Sequence, residues 1–259
     1  MVSSDFRKEA REKLSGKWGK AACITLAYVF IFAVLDFIGG LFSDAIEIES
    51  LISLAVAIIN VPLALGLIIS LVKLFNGEDV KAFDFLSSGF NNFGKSWGLV
   101  WNIFLKTLAP TLLLFLSTLG FFISIGLIVG EAASHHVPFE GYTTLLPISV
   151  LVNLFSSIWY ITKMYYYQLS YILIAENPEL SAKEAVEESK KLMAGKRGKL
   201  FCLQLSFIGW AILAVFTLGI GYLWLVPYIQ FATVAFYKFA NGDNDSIEAT
   251  VVDENKTEE

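Results

Sequence analysis

Several groups of residues in this chain have types and spacings that could do chemistry. Gly89-Phe90-Asn91-Asn92-Phe93-Gly94-Lys95-Ser96 fits the phosphate-binding loop expression at every required position. In that loop, backbone N–H groups cradle phosphates, the lysine reaches the terminal phosphates and the serine holds magnesium. The chemistry needs a buried strand before the loop and a soluble helix after it. Here an amphipathic stretch precedes and a long apolar run follows, with two phenylalanines inside the loop. The same Gly-Lys step also recurs at Gly16-Lys17 and Gly195-Lys196, so it has a use common to three places, and nucleotide is not expected.

Three polar residues inside apolar runs are the candidate functional positions: Asp36, Asn60 and Lys163. An acid at mid-span costs about 2.5–3.5 kcal/mol on insertion scales, and such residues generally face an interior and carry function. The alternative for Asp36 is a structural acid bonded to Asn60 or Asn153, and for Lys163 a side chain snorkelling to the headgroups. Glu131, His135, His136 and Glu140 bring four metal-ligand types close together, but adjacent histidines share no helix face and the spacing fits no standard site. No metal, cofactor or catalytic residue is expected, and no nucleophile elbow or zincin motif occurs.

The elements that would position these residues repeat. Each of three units has a charged amphipathic stretch, a Gly-Lys step, two apolar runs and a closing signal: Asn76-Gly77-Glu78, Asn177-Pro178-Glu179 or Asn241-Gly242-Asp243. Pro62 precedes Asn76 by the same 14 positions that separate Pro227 from Asn241. The units cover about 1–76, 77–177 and 178–240, forming one membrane domain, and an acidic tail over 241–259 reads as disordered. The predicted fold is all-α: three hairpins, six transmembrane helices and a cytoplasmic interfacial helix before each hairpin.

The apolar runs are 21–42, 51–74, 97–129, 148–175, 200–218 and 222–240. Crossing hydrocarbon takes about 20 residues, and 56% hydrophobic residues against 17% charged suits such a chain. With amphipathic sequence before it and no clear cleavage site after it, the first run reads as an uncleaved span. Six basic residues precede that run, Lys81 and Lys95 lie between the second and third, and six more lie from Lys183 to Lys199. The alternate loops 43–50 and 130–147 have none, which places both termini on the cytoplasmic side. The stripes Phe6/Ala10/Leu14/Trp18, Val80/Phe83/Leu86/Phe90/Phe93 and Ala185/Val186/Ser189/Leu192/Met193 either enter the acyl boundary beside anionic headgroups or pack on neighbouring helices. Ser181 and Glu184 make a capping box. No basic surface points to nucleic acid, and Cys23 and Cys202 are not expected to pair.

The segment Tyr171-Ile172-Leu173-Ile174-Ala175-Glu176-Asn177-Pro178-Glu179-Leu180-Ser181-Ala182-Lys183-Glu184-Ala185 resembles the signature of a bacterial integral membrane family catalogued as domain of unknown function 975. Ser206-Phe207-Ile208-Gly209-Trp210, Thr217-Leu218-Gly219-Ile220-Gly221 and Val226-Pro227-Tyr228-Ile229-Gln230 resemble it too, as does Arg7-Lys8-Glu9-Ala10-Arg11. Trp159 and Tyr160 stand where the family usually carries Pro-Gly. The family is distantly similar to the membrane domain of some glycerophosphodiester phosphodiesterases and has no established activity. The resemblance implies fold and a bacterial cytoplasmic-membrane location. The expected function is that of a non-catalytic accessory protein contacting lipid or a membrane-protein partner. The alternatives are a transporter or export component and, third, a lipid-modifying enzyme.

Overall fold

The computed structural model describes residues 2–41, 46–134 and 140–242. All its elements are helices: α1 (Ser3–Leu14), α2 (Trp18–Gly40), α3 (Ile46–Phe75), α4 (Asp84–Asn91), α5 (Phe93–Ser134), α6 (Glu140–Met164), α7 (Ser170–Glu176), α8 (Ala182–Leu192), α9 (Arg197–Leu205), α10 (Ile208–Phe216) and α11 (Tyr222–Asn241). Five stretches are long and apolar enough to cross a membrane: Trp18–Gly40, Glu47–Phe75, Phe93–Gly130, Leu145–Met164 and Arg197–Phe216. The described residues form two compact units, one of residues up to Leu99 with those from Leu169 onward, the other Val100–Gln168.

The first unit is organised around α11, which contacts α1, α2, α3, α9 and α10. From Phe231 to Tyr237 it is buried without a break. Where a helix packs on protein and not on acyl chains, polar side chains can find protein partners, as Lys238 does at Asn76. Gln230, Tyr237 and Lys238 dilute its apolar content, and α11 is not among the five spans picked out by length and composition.

The amphipathic stripes are used in two ways. On α1, Phe6, Ala10 and Leu14 are fully buried, with the Phe6 ring edge-on to Phe236 and Phe239 at 5.4 Å each. Ala185, Val186 and Met193 at α8 are likewise buried. These two stripes are covered by neighbouring helices, not by acyl chains. The second turns its phenylalanines outward, one of the two uses the pattern allows, while its Val80 is buried. Phe83, Phe90 and Phe93 are exposed, whereas Phe85 and Gly89 are buried. The cause is an approach of α4 to α3 that only glycine permits: a Cβ on Gly66 would lie 2.0 Å from the Phe85 carbonyl oxygen, and one on Gly89 would lie 2.5 Å from the Pro62 carbonyl oxygen. Backbone-to-backbone packing of this kind uses small residues as membrane helix pairs do. The outward phenylalanines of α4 remain suited to lipid.

Turn geometry recurs along the chain. The turns before α2 and α9 place Gly16 and Gly195 at the same φ of +74°. They also share backbone bonds, Lys17 N–H to Leu14 and Lys196 N–H to Met193. After α3 and α11, Gly77 and Gly242 lie at +93° and +87°, a left-handed closure that favours glycine. The expected capping box is present: the Glu184 N–H donates to the Ser181 hydroxyl and the Glu184 carboxylate accepts from the Ser181 N–H.

The second unit takes α5 from Val100 onward together with α6. Asn153 on α6 donates to Thr118 Oγ1 at 2.8 Å, and Ser117 and Ser156 share a hydrogen bond of 2.9 Å. Hydroxyls and amides between apolar helices tie a hairpin together in this way. The run 148–175, expected to be one span, is interrupted: α6 ends at Met164 and α7 begins at Ser170. Lys163 stands 14 positions before Asn177, where the other two units carry Pro62 and Pro227, and the break follows directly.

Candidate functional site

The polar groups that the first unit gathers come from the ends of helices distant in sequence. Lys238, in the last turn of α11, donates to Asn76 Oδ1 at 2.9 Å. Asn76, just past α3, donates through Nδ2 to Glu176 Oε1 at 3.1 Å, at the end of α7. One asparagine side chain thus joins the closing segments of all three sequence units. Beside it, the ammoniums of Lys13 and Lys238 lie 5.7 and 5.1 Å from the centre of the Phe75 ring, within cation–π range.

Glu9 on α1 completes the group. Burial raises its carboxyl above the ordinary range, Lys13 and Lys238 pull it back, and Glu12 adds to the rise. Its Oε2 is buried with no hydrogen-bond partner. The arrangement can hold charge and exchange a proton at Glu9. Among the described residues it contains no nucleophile paired with a base, and no group of three metal-ligand side chains occurs there either.

The three Gly-Lys steps share one contact. Lys17 Nζ donates to the Leu74 carbonyl at 3.0 Å, Lys196 Nζ to the Ala240 carbonyl at 2.6 Å, and Lys95 Nζ to the Pro178 carbonyl. Each lysine starts a hairpin and reaches the backbone where that hairpin closes. The last carbonyls of a helix lack intrahelical donors and carry the negative end of its dipole. Lys196 meets that need at α11, while at α3 Lys17 shares the Leu74 carbonyl with the Gly77 N–H. Within the phosphate-loop match, Lys95 is engaged by a carbonyl and the buried Ser96 hydroxyl donates back to Phe93 at 2.7 Å.

The residues singled out from sequence are not gathered into one site. Asp36 is exposed on α2 and has no partner among the described residues. Asn60 on α3 instead accepts from the Tyr28 hydroxyl at 3.0 Å. Asn153 is engaged by Thr118, so neither amide serves Asp36. Lys163 is half-buried in the last turn of α6. His135 and His136, and the side chains of Glu131 and Glu140, lie outside the described residues. The cluster of Asn76, Glu176 and Lys238 escaped sequence reasoning, although Asn76 and Glu176 stand in or beside the closing signals.

No curated protein and no solved structure matches the chain, and nothing in these comparisons bears on the glycerophosphodiester phosphodiesterase likeness. A family model does match, over residues 1–243, taking in every helix of the described residues and the helix-end contacts among them. The chain therefore belongs to the family described as Protein of unknown function (DUF975).

Proposed function

We propose that this protein is a six-span bacterial cytoplasmic-membrane protein of three repeated hairpins, with both termini cytoplasmic. It acts as a non-catalytic accessory protein through lipid or membrane-protein contacts. The observation that carries the functional reading is the use of the polar groups: gathered lysines, amides and acids tie helix ends together. The outward side chains of α2, α3, α5, α6 and α10 are large and apolar, among them Phe37, Leu51, Phe115, Phe155 and Phe216. Such a surface suits contact with lipid or another membrane protein. Support for the repeat comes from the paired glycine φ values and the recurring lysine–carbonyl contact. Support for a sixth span comes from the length and central burial of α11.

Cysteines placed at Ser134 and Ser88, in a background lacking Cys23 and Cys202, test the topology. An impermeant thiol reagent should label 134 from outside and 88 only after the membrane is opened. External labelling at 88 would overturn the orientation. A second reading, transport, is favoured by the interruptions at 165–169 and 206–207, since broken helices line many transporter sites. Substrate-dependent flux in proteoliposomes would select it, whereas co-purification of lipid or a protein partner without flux supports the accessory role.

A further inference from the structure

We propose that Arg7 and Arg11 of α1, framed by Trp18, Phe207 and Tyr228, bind the phosphate of an anionic phospholipid headgroup. This rests on the lipid-contacting reading above and names the lipid class and the residues. The two arginines are four positions apart and share one face of α1. Both guanidinium charges act on Tyr228, whose hydroxyl donates to the Arg7 carbonyl at 3.4 Å. The Tyr228 ring meets Phe207 edge-on at 5.0 Å and Trp18 at 5.8 Å. Three aromatic rings from α2, the α9–α10 turn and α11 thereby gather where α1 brings two cations near Tyr228.

What this place lacks is an anion. Arg7 Nε is buried without a hydrogen-bond acceptor, and among the described residues neither arginine has a carboxylate partner. The acids of α1 are committed elsewhere: Asp5 accepts from the Val2 N–H and the Ser4 hydroxyl, Glu12 lies 4.0 Å from Lys8, and Glu9 interacts with Lys13 and Lys238. A phosphate offers a pair of oxygens that the planar guanidinium fork can contact with two parallel N–H donors. The rim selects a lipid over a soluble phosphate: Phe201, Leu205 and Ile208, on either side of Phe207 in sequence, are exposed and apolar. Tryptophan and tyrosine at headgroup depth are themselves a mark of the membrane interface.

The test uses the full chain in nanodiscs of phosphatidylcholine containing a minor share of phosphatidylglycerol, with retained lipid counted by native mass spectrometry. The wild type should retain phosphatidylglycerol in preference. Arg7→Gln/Arg11→Gln should weaken that preference by about tenfold, the scale of one good charged contact. Arg11→Gln alone, at an exposed side chain, should give part of the loss and serves if the double variant fails to fold. Lys190→Gln/Lys191→Gln removes the same charge elsewhere and should retain lipid as the wild type does. Equal retention by the wild type and the arginine variants overturns the site and leaves the lipid-contacting reading standing. A wild type with no preference overturns the site and removes the anionic-lipid part of that reading. Displacement of the lipid by inorganic phosphate would reassign the site to a soluble anion.

Discussion

Lys196 Nζ lies 2.6 Å from the carbonyl oxygen of Ala240, linking the first turn of the third hairpin to its last. Lys17 does the same for the first hairpin through Leu74 at 3.0 Å. A charged donor on a helix-end carbonyl, where the helix dipole is negative, is worth about 1–2 kcal/mol. Lys17→Met and Lys196→Met should each lower stability by about that amount, read as a fall in unfolding temperature in detergent. Lys95→Ala should leave ATP binding absent, as in the wild type. Saturable binding lost in the variant would restore the phosphate-loop reading.

Gly66→Ala should be severe. The added methyl would lie 2.0 Å from the Phe85 carbonyl oxygen and 2.7 Å from the Gly89 nitrogen, so α4 must leave α3. Limited proteolysis should cut near α4 in Gly66→Ala and spare it in Gly94→Ala, where nothing lies within 4 Å of the new methyl.

Glu9 makes stability depend on pH. Its carboxyl is raised, mainly by burial, so the folded state binds the proton more tightly than the unfolded state. The contribution is fully present below the ordinary value of 4.5 and is lost as pH rises through the higher folded value. Glu9→Gln should therefore be more stable than the wild type at neutral pH, the two curves converging as the medium is acidified below 4.5. Parallel curves throughout would show that Glu9 does not titrate differently on folding.

Asp36→Asn should insert more readily, by on the order of 1 kcal/mol on translocon scales, because no partner among the described residues is lost. In a complementation assay it should impair activity more than Lys163→Gln. Full activity of both would reduce the two charges to architecture.

Much of this was legible in the sequence, and what was not has a common cause. The Ser181–Glu184 box and the left-handed closures at Gly77 and Gly242 are local, so short patterns reveal them. The Gly-Lys recurrence was visible, but its purpose was not, because Lys17 and Leu74 are 57 residues apart and Lys95 and Pro178 are 83 apart. Asn76 joins Glu176 and Lys238 across separations of 100 and 162, beyond any periodicity argument. The outward phenylalanines Phe83, Phe90 and Phe93 are visible to a hydrophobicity pattern, but the docking face of α4 is not, because it is set by the absence of side chains at Gly66 and Gly89. The structural alternative for Asp36, a bond to Asn60 or Asn153, is not met, because Tyr28 and Thr118 engage those amides.

The burial of Phe6 between Phe236 and Phe239 sets a timetable for biosynthesis. The ribosome releases the first helix roughly 230 residues before the rings that cover it, an interval on the order of 10–50 s at ordinary elongation rates. Throughout that wait the stripe of α1 has no α11 to rest on and must shelter against lipid or an insertase. Completion of the fold is therefore a post-insertion event that reports on the arrival of the last helix. A nascent chain arrested before Phe231 should expose α1 to protease, whereas the released protein protects it.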